Sequence, residues 1–216
     1  MLILALADLE DVLLFFSFMA VPAVLVGWLV RRQVIKTRDE LRAFAQQAGL
    51  RVMEQNILGF ASVKSLEGEQ QGRRVRYWTY STGSGKSRTT WVAVGVGVPA
   101  GPALEFELTR QHFGTKLMEL FGVHEIQVGD PAFDRAWFVR TNQPEFFTAA
   151  LGPAIRARFM AEASRGRSPS YKLERGMVRY AEMGGLSAAT AGRLAVKLPL
   201  LHDLADVAEV SAGQKA

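Results

Sequence analysis

Hydrophobic positions are unevenly spread along this chain. The first block, Val12 to Val30 (VLLFFSFMAVPAVLVGWLV), holds no charged residue, and Ser17 is its only hydroxyl. About 19 residues at ~1.5 Å each cover roughly 28 Å, close to the ~30 Å of a bilayer's hydrocarbon core. In lipid the backbone must satisfy its own hydrogen bonds, so such a block is expected as a transmembrane helix over 12–30. Pro22 is tolerated in that setting, and Trp28 suits an interface. Asp8, Glu10 and Asp11 precede the block, while Arg31, Arg32, Lys36, Arg38 and Arg42 follow it. Basic flanks stay inside, which predicts an inner (plasma) membrane protein with residues 1–11 outside and its C-terminal domain cytoplasmic. A cleavable signal peptide fits less well, because the flank before the block is acidic and no A-x-A-like site follows. A buried core helix is usually shorter and more interrupted, and an in-plane helix needs a polar face that is missing here. Met1 to Leu6 is also apolar.

Beyond the block the periodicity changes. Leu41, Phe44, Ala45 and Ala48 recur at helical spacing, which predicts a juxtamembrane helix over 31–49 ending at Gly49. From Leu50 to Leu108 the pattern is β: Ile57–Leu66, Arg73–Ser81, Thr89–Val98 and Ala103–Thr109 are rich in Val, Phe, Tyr, Trp and Thr, with Gly, Pro and Ser between them. A short helix is expected at Phe113–Phe121, then strands at Val123–Val128 and Ala136–Arg140. Asp130 and Pro131 between these strands form an N-cap and first helical residue. Phe147, Leu151, Ile155 and Phe159 make an i, i+4 stripe that predicts one helix over Pro144–Ser164. A hairpin at Tyr171–Leu173 and Met177–Glu182 follows, then a helix over Leu186–Val210 that Pro199 kinks or divides, and a tail at 211–216. Strands first and helices later argue for an α+β domain over 50–210, mostly antiparallel, with helices packed on it.

Composition narrows the function classes. The 216 residues carry a net charge of +5 and no cysteine, which excludes disulfides, thiol catalysis and cysteine metal sites. Residues 1–32 contribute −1, so the remainder carries +6, suited to an anionic inner leaflet but too weak to argue for nucleic acid.

Motifs that bear chemistry are scarce. Gly83-Ser84-Gly85-Lys86-Ser87 resembles the end of a phosphate loop, but the first glycine of that motif would fall at Tyr80, and a strand rather than a helix follows. A flexible hairpin loop accounts for it. The flanking strands place Arg73, Arg74, Arg76, Lys86 and Arg88 beside Tyr77, Trp78, Tyr80 and Trp91. A symmetric loop would set Trp78 opposite Trp91 and Tyr80 opposite Thr89, a cross-strand aromatic pair. This hairpin, together with Arg31 and Arg32, is the candidate contact for anionic headgroups or a protein partner. Asp130 and Asp134 form an i, i+4 carboxylate pair that could bind a metal or do acid/base work, although capping suffices for Asp130. His112, His124 and His202 have no metal-ligand spacing, and no G-x-S-x-G elbow occurs. No catalytic residue, cofactor or metal is expected.

The order Gly129-Asp130, Phe133-Asp134, Trp137-Phe138-Val139, Pro144 and Leu151-Gly152-Pro153 resembles that of a group of bacterial membrane-anchored proteins of uncharacterised function. The resemblance covers about residues 40–185. It implies one or two N-terminal spans and a cytosolic α+β domain, and it carries no catalytic residues. The expectation is a non-enzymatic membrane-anchored interaction module, an accessory subunit of a membrane protein complex being one such role, with the bilayer and another membrane protein as partners. Two alternatives stay open: a peripheral lipid-binding module using hairpin 73–91, and an enzyme built on Asp130, Asp134 and His124.

Overall fold

The computed structural model describes residues 2–57, 60–98, 104–110, 126–163 and 169–213. Strands β1 (Arg51–Ile57), β2 (Phe60–Gln70), β3 (Arg73–Thr82), β4 (Thr89–Gly97), β5 (Phe106–Arg110), β6 (Trp137–Thr141), β7 (Ser170–Glu174) and β8 (Met177–Met183) form one sheet. Its order is β1-β2-β3-β4-β8-β7-β5-β6, and every pairing is antiparallel. The helices are α1 (Leu2–Gln47), α2 (Pro131–Ala136), α3 (Pro144–Ala150), α4 (Pro153–Ala163), α5 (Ala188–Ala195) and α6 (Leu198–Gly213). The expected antiparallel sheet with packed helices is present. The predicted helix 113–121 and His112 and His124 lie outside the described residues. Ile126 to Val128 is loop rather than strand.

Strand alternation decides where the core sits, because successive side chains point to opposite faces. Val75 and Tyr77 on β3, Val92, Val94 and Val96 on β4, Val178 and Tyr180 on β8, and Tyr171 and Leu173 on β7 are all buried on the face the helices cover. At the β6 end, Phe159 of α4 meets Phe133, Trp137 and Tyr171 edge-on, with ring centroids 6.0, 5.2 and 4.9 Å away. Such aromatics dominate core energetics, at about 1.5–3 kcal/mol each from burial alone.

Two helices expected to be continuous are divided. The stripe over 144–164 breaks at Leu151 and Gly152, where Pro153 starts α4. A proline has no N–H to give, and it turns the residue before it away from helical geometry. The terminal helix divides at Val196 and Lys197, which puts Pro199 in the first turn of α6, where its missing donor costs nothing.

The largest correction concerns the N-terminus. The juxtamembrane helix expected at 31–49 belongs to α1, one helix of 46 residues that runs through Asp8, Glu10, Asp11, Arg31 and Arg32. Among the described residues no helix is long and apolar enough to cross a membrane. The transmembrane helix at 12–30 and the single-pass topology built on it are therefore withdrawn. Pro22 and Val24 to Val30 are exposed, and so are Arg31 and Arg32 after them. The side chains of residues 2–21 and of residue 23 lie outside the described set.

From Val34 on, α1 is amphipathic. Val34, Thr37, Arg38, Leu41, Phe44, Ala45 and Ala48 are buried or half-buried at helical spacing, and the residues between them are exposed. This stripe lies on β1, β2 and α5. Phe44 meets the Tyr77 ring edge-on at 5.9 Å, and Arg42 donates twice to Glu54 of β1, at 3.0 and 2.6 Å.

Candidate interaction surfaces

The face of the sheet turned away from the described helices carries the hairpin residues. Gly83 opens the β3–β4 turn with φ +76°, and a Cβ there would stand 2.6 Å from the Ser87 carbonyl oxygen, so the turn demands glycine. A 3-10 turn at Gly85–Ser87 then leads directly into β4, leaving no helix N-terminus to hold a phosphate. The register differs from the symmetric expectation. Tyr80 faces Trp91, Trp78 faces Ala93, and Thr82 pairs with Thr89. A two-residue slip keeps each side chain on its face.

On this open face Tyr80 and Trp91 lie nearly parallel, with centroids 6.4 Å apart, and the Trp91 indole N–H donates to Thr82 at 2.8 Å. Trp78 and Met177 close over Gly95. A Cβ at Gly95 would meet Met177 Sδ at 2.6 Å and Trp78 Cη2 at 3.1 Å. The register places Arg179 of β8 beside Gly95 and Met183 beside Trp91. The Arg179 guanidinium sits 5.0 Å over the Tyr80 ring and donates to the Tyr80 hydroxyl at 2.5 Å; Arg76 sits 5.6 Å over Trp78. Trp78, Tyr80 and Trp91 are half-buried and Met183 is exposed.

Carboxylates lie among these cations. Glu67 accepts from Arg74 and faces Arg76, and its carboxyl is held below the usual range, first by the Arg74 hydrogen bond. Glu174 meets Lys172, Arg175 and Arg179. Its burial pushes the carboxyl up, but these cations outweigh that and leave it low.

The sequence candidates therefore separate. Arg74, Arg76, Trp78 and Trp91 gather on the open face, and Lys86 and Arg88 are exposed at the turn beside it. Arg73 is on the other face, where it donates to Asp206 at 2.7 Å and Glu209 at 2.8 Å and ties β3 to α6. Arg31 and Arg32 are exposed on α1, with Arg32 stacked 5.4 Å over Trp28. Sequence reasoning missed Met177, Arg179 and Met183. The alternation of Met177, Arg179, Ala181 and Met183 with Val178 and Tyr180 was visible, but not that β8 would lie beside β4.

A second polar assembly lies on the helix-covered face. Glu182, 4% exposed, accepts from the Tyr180 hydroxyl at 2.8 Å and from Arg193 of α5. Glu162 of α4 accepts from the Tyr171 hydroxyl and pairs with Lys197, whose ammonium lies 5.4 Å over the Tyr180 ring. Burial, then the neighbouring carboxylates, push both tyrosines well above their ordinary range. A shallow cleft of about 220 Å³ beside Glu162 is lined by Arg158, Ala161, Val196, Pro199 and Leu200. Each carboxylate here is met by a cation and a phenol, so the assembly is closed on itself.

The aspartate pair is structural. Asp130 Oδ1 accepts from the Ala132 and Phe133 amides at 3.1 and 3.2 Å, and Asp134 Oδ1 accepts from the Val128 amide at 3.0 Å. Among the described residues no three His, Asp or Glu side chains group as a metal site.

No family model and no curated protein matches this chain. Among solved structures it is similar to the crystal structure of the mycobacterial trehalose monomycolate transport factor A, TtfA. The identity is 11% and the TM-score 0.49, over 77% of this chain and 90% of that one.

Proposed function

We propose that this protein is a non-enzymatic interaction module that works at a membrane surface, associated with it through α1 and without a span. One observation carries this reading. Val24, Leu25, Val26, Trp28, Leu29 and Val30 are 50–72% exposed on a helix whose continuation is anchored in the domain core. A helix apolar on all sides is normally covered, and contiguous exposed apolar surface marks a membrane or protein contact. Arg31 and Arg32 follow at once, and cations beside an apolar segment favour an anionic leaflet at about 1 kcal/mol each. The cytoplasmic leaflet of the inner membrane is the surface this favours. The absence of a catalytic role is supported by the use of Asp130 as a helix cap, by the bond from the Val128 amide to Asp134, and by the closed pairing around Glu162 and Glu182.

The test is flotation of the full chain with vesicles of phosphatidylglycerol and phosphatidylcholine. The wild type is expected to float, and the Leu25→Asp/Leu29→Asp variant to remain at the bottom with its circular dichroism unchanged. A wild-type chain that stays soluble and fails to float ends this reading.

A further inference from the structure

We propose that the open face of β3, β4 and β8 docks an acidic, apolar-rich segment of a partner protein. The face lies opposite the one α1 covers, since Tyr77 meets Phe44 of α1 and Trp78 points the other way. It therefore stands or falls separately from the membrane reading.

Composition is the first argument. Trp78, Tyr80, Trp91, Met177, Met183, Arg76 and Arg179 form the patch, and Trp, Tyr, Met and Arg are the residues enriched at interface centres and among binding hot spots. The patch is also held in shape before any partner arrives. Gly95 seats Trp78 and Met177, and the two stacked arginines have lost the freedom that binding would otherwise remove. Arg76 already faces Glu67, and Arg179 meets Glu174 and the Tyr80 hydroxyl; the guanidinium N–H groups left over are the ones a partner carboxylate would take.

Charge selects the occupant. Around the patch Arg74, Arg76, Lys172, Arg175 and Arg179 stand against Glu67, Glu69 and Glu174, five cations to three carboxylates, and Lys86 and Arg88 add two more at the turn. A second copy docked through the same patch would bring two positive surfaces together, because a two-fold interface is self-complementary. An anionic bilayer would meet Glu67, Glu69 and Glu174 lying among the cations. A peptide segment with acidic and apolar side chains can place its carboxylates on the guanidiniums and leave Glu67 and Glu174 at a wet rim.

The test is selection from a phage-displayed library of random 12-residue peptides on the immobilised full chain, with Kd of the winners by fluorescence anisotropy. The expected outcome is enrichment in Asp and Glu beside Leu, Phe or Trp. Binding should weaken tenfold or more in Arg179→Glu and in Trp78→Ala, and should weaken with salt. Arg76→Glu provides an independent variant if Arg179→Glu folds poorly. The proposal is overturned if no peptide is enriched, if winners lack an acidic excess, or if they bind all three variants as they bind wild type. It is also overturned if the variants lose phosphatidylglycerol vesicles but no peptide, or if wild type self-associates through this face. Flotation of Leu25→Asp/Leu29→Asp is read separately, so loss of the membrane reading leaves this result standing.

Discussion

Tyr77 and Trp78 are neighbours on β3 and enter opposite environments. Tyr77 is fully buried under Phe44 of α1, while Trp78 lies half-buried on the open face beneath Arg76. The same division runs through β3, β4 and β8. On the covered face, charges are few and each is met: Glu182 by Arg193 and Tyr180, Glu162 by Lys197 and Tyr171. On the open face, cations outnumber carboxylates and the aromatics give up water only in part. Stability therefore resides on one face, and the other is left to bind. Substitutions on the two faces should separate folding from capture.

The largest effect is expected from Phe159→Ala, which removes a ring shared by Phe133, Trp137 and Tyr171 and should cost about 3–5 kcal/mol in urea unfolding. Glu182→Ala should cost about 1.5–3 kcal/mol, since it leaves Arg193 and the buried Tyr180 hydroxyl without their acceptor. Trp78→Ala should change stability by less than about 1 kcal/mol while lowering acidic-peptide capture at least tenfold. A Trp78→Ala loss of stability equal to that of Phe159→Ala would erase the distinction between the faces.

Two smaller effects sharpen it. The Tyr77 hydroxyl is buried with no hydrogen-bond partner among the described residues, so Tyr77→Phe should stabilise the fold by about 1 kcal/mol at neutral pH. Burial also pushes the Tyr77 phenol from 10.0 up to about 12. The fold favours the protonated phenol, so this contribution is whole below pH 10 and is lost as pH rises through about 12. Tyr77→Phe should lessen the fall in urea midpoint over that window. The smallest effect belongs to the open face. Glu67 is held below 4.5, first by Arg74, and its contribution is present above that pH and lost below it. With its side chain 23% exposed, Glu67→Gln should shift the acid unfolding midpoint only slightly, and less still in high salt.

Much of this was legible in the residues. Alternation in 73–81 and 89–98 gave the hairpin, Asp130-Pro131 gave a capped helix, and Tyr171 to Glu182 gave the second hairpin, because each signal lies within about ten residues. Strand order was not legible: β8 lies beside β4 although some eighty residues separate them, so Arg179 could not be joined to Tyr80. Nor was the register, which the loop from Gly83 to Arg88 sets. The stripe through Phe147 and Phe159 was real on both sides of Gly152, and it concealed the break that Pro153 imposes. The block 12–30 was read from hydropathy, length and flanking charge, and these leave open whether the helix runs unbroken into a domain.

That continuity has a mechanical consequence. Leu41, Phe44 and Ala45 fix the rotational setting of α1 against the sheet, and with 3.6 residues per turn the same setting reaches Trp28 and Arg31. The helix acts as a keyed shaft, so the bearing of its apolar end is decided by the domain core. One alanine inserted between Lys36 and Thr37 would turn Trp28 by about 100° and lift it ~1.5 Å while Leu41 stays seated.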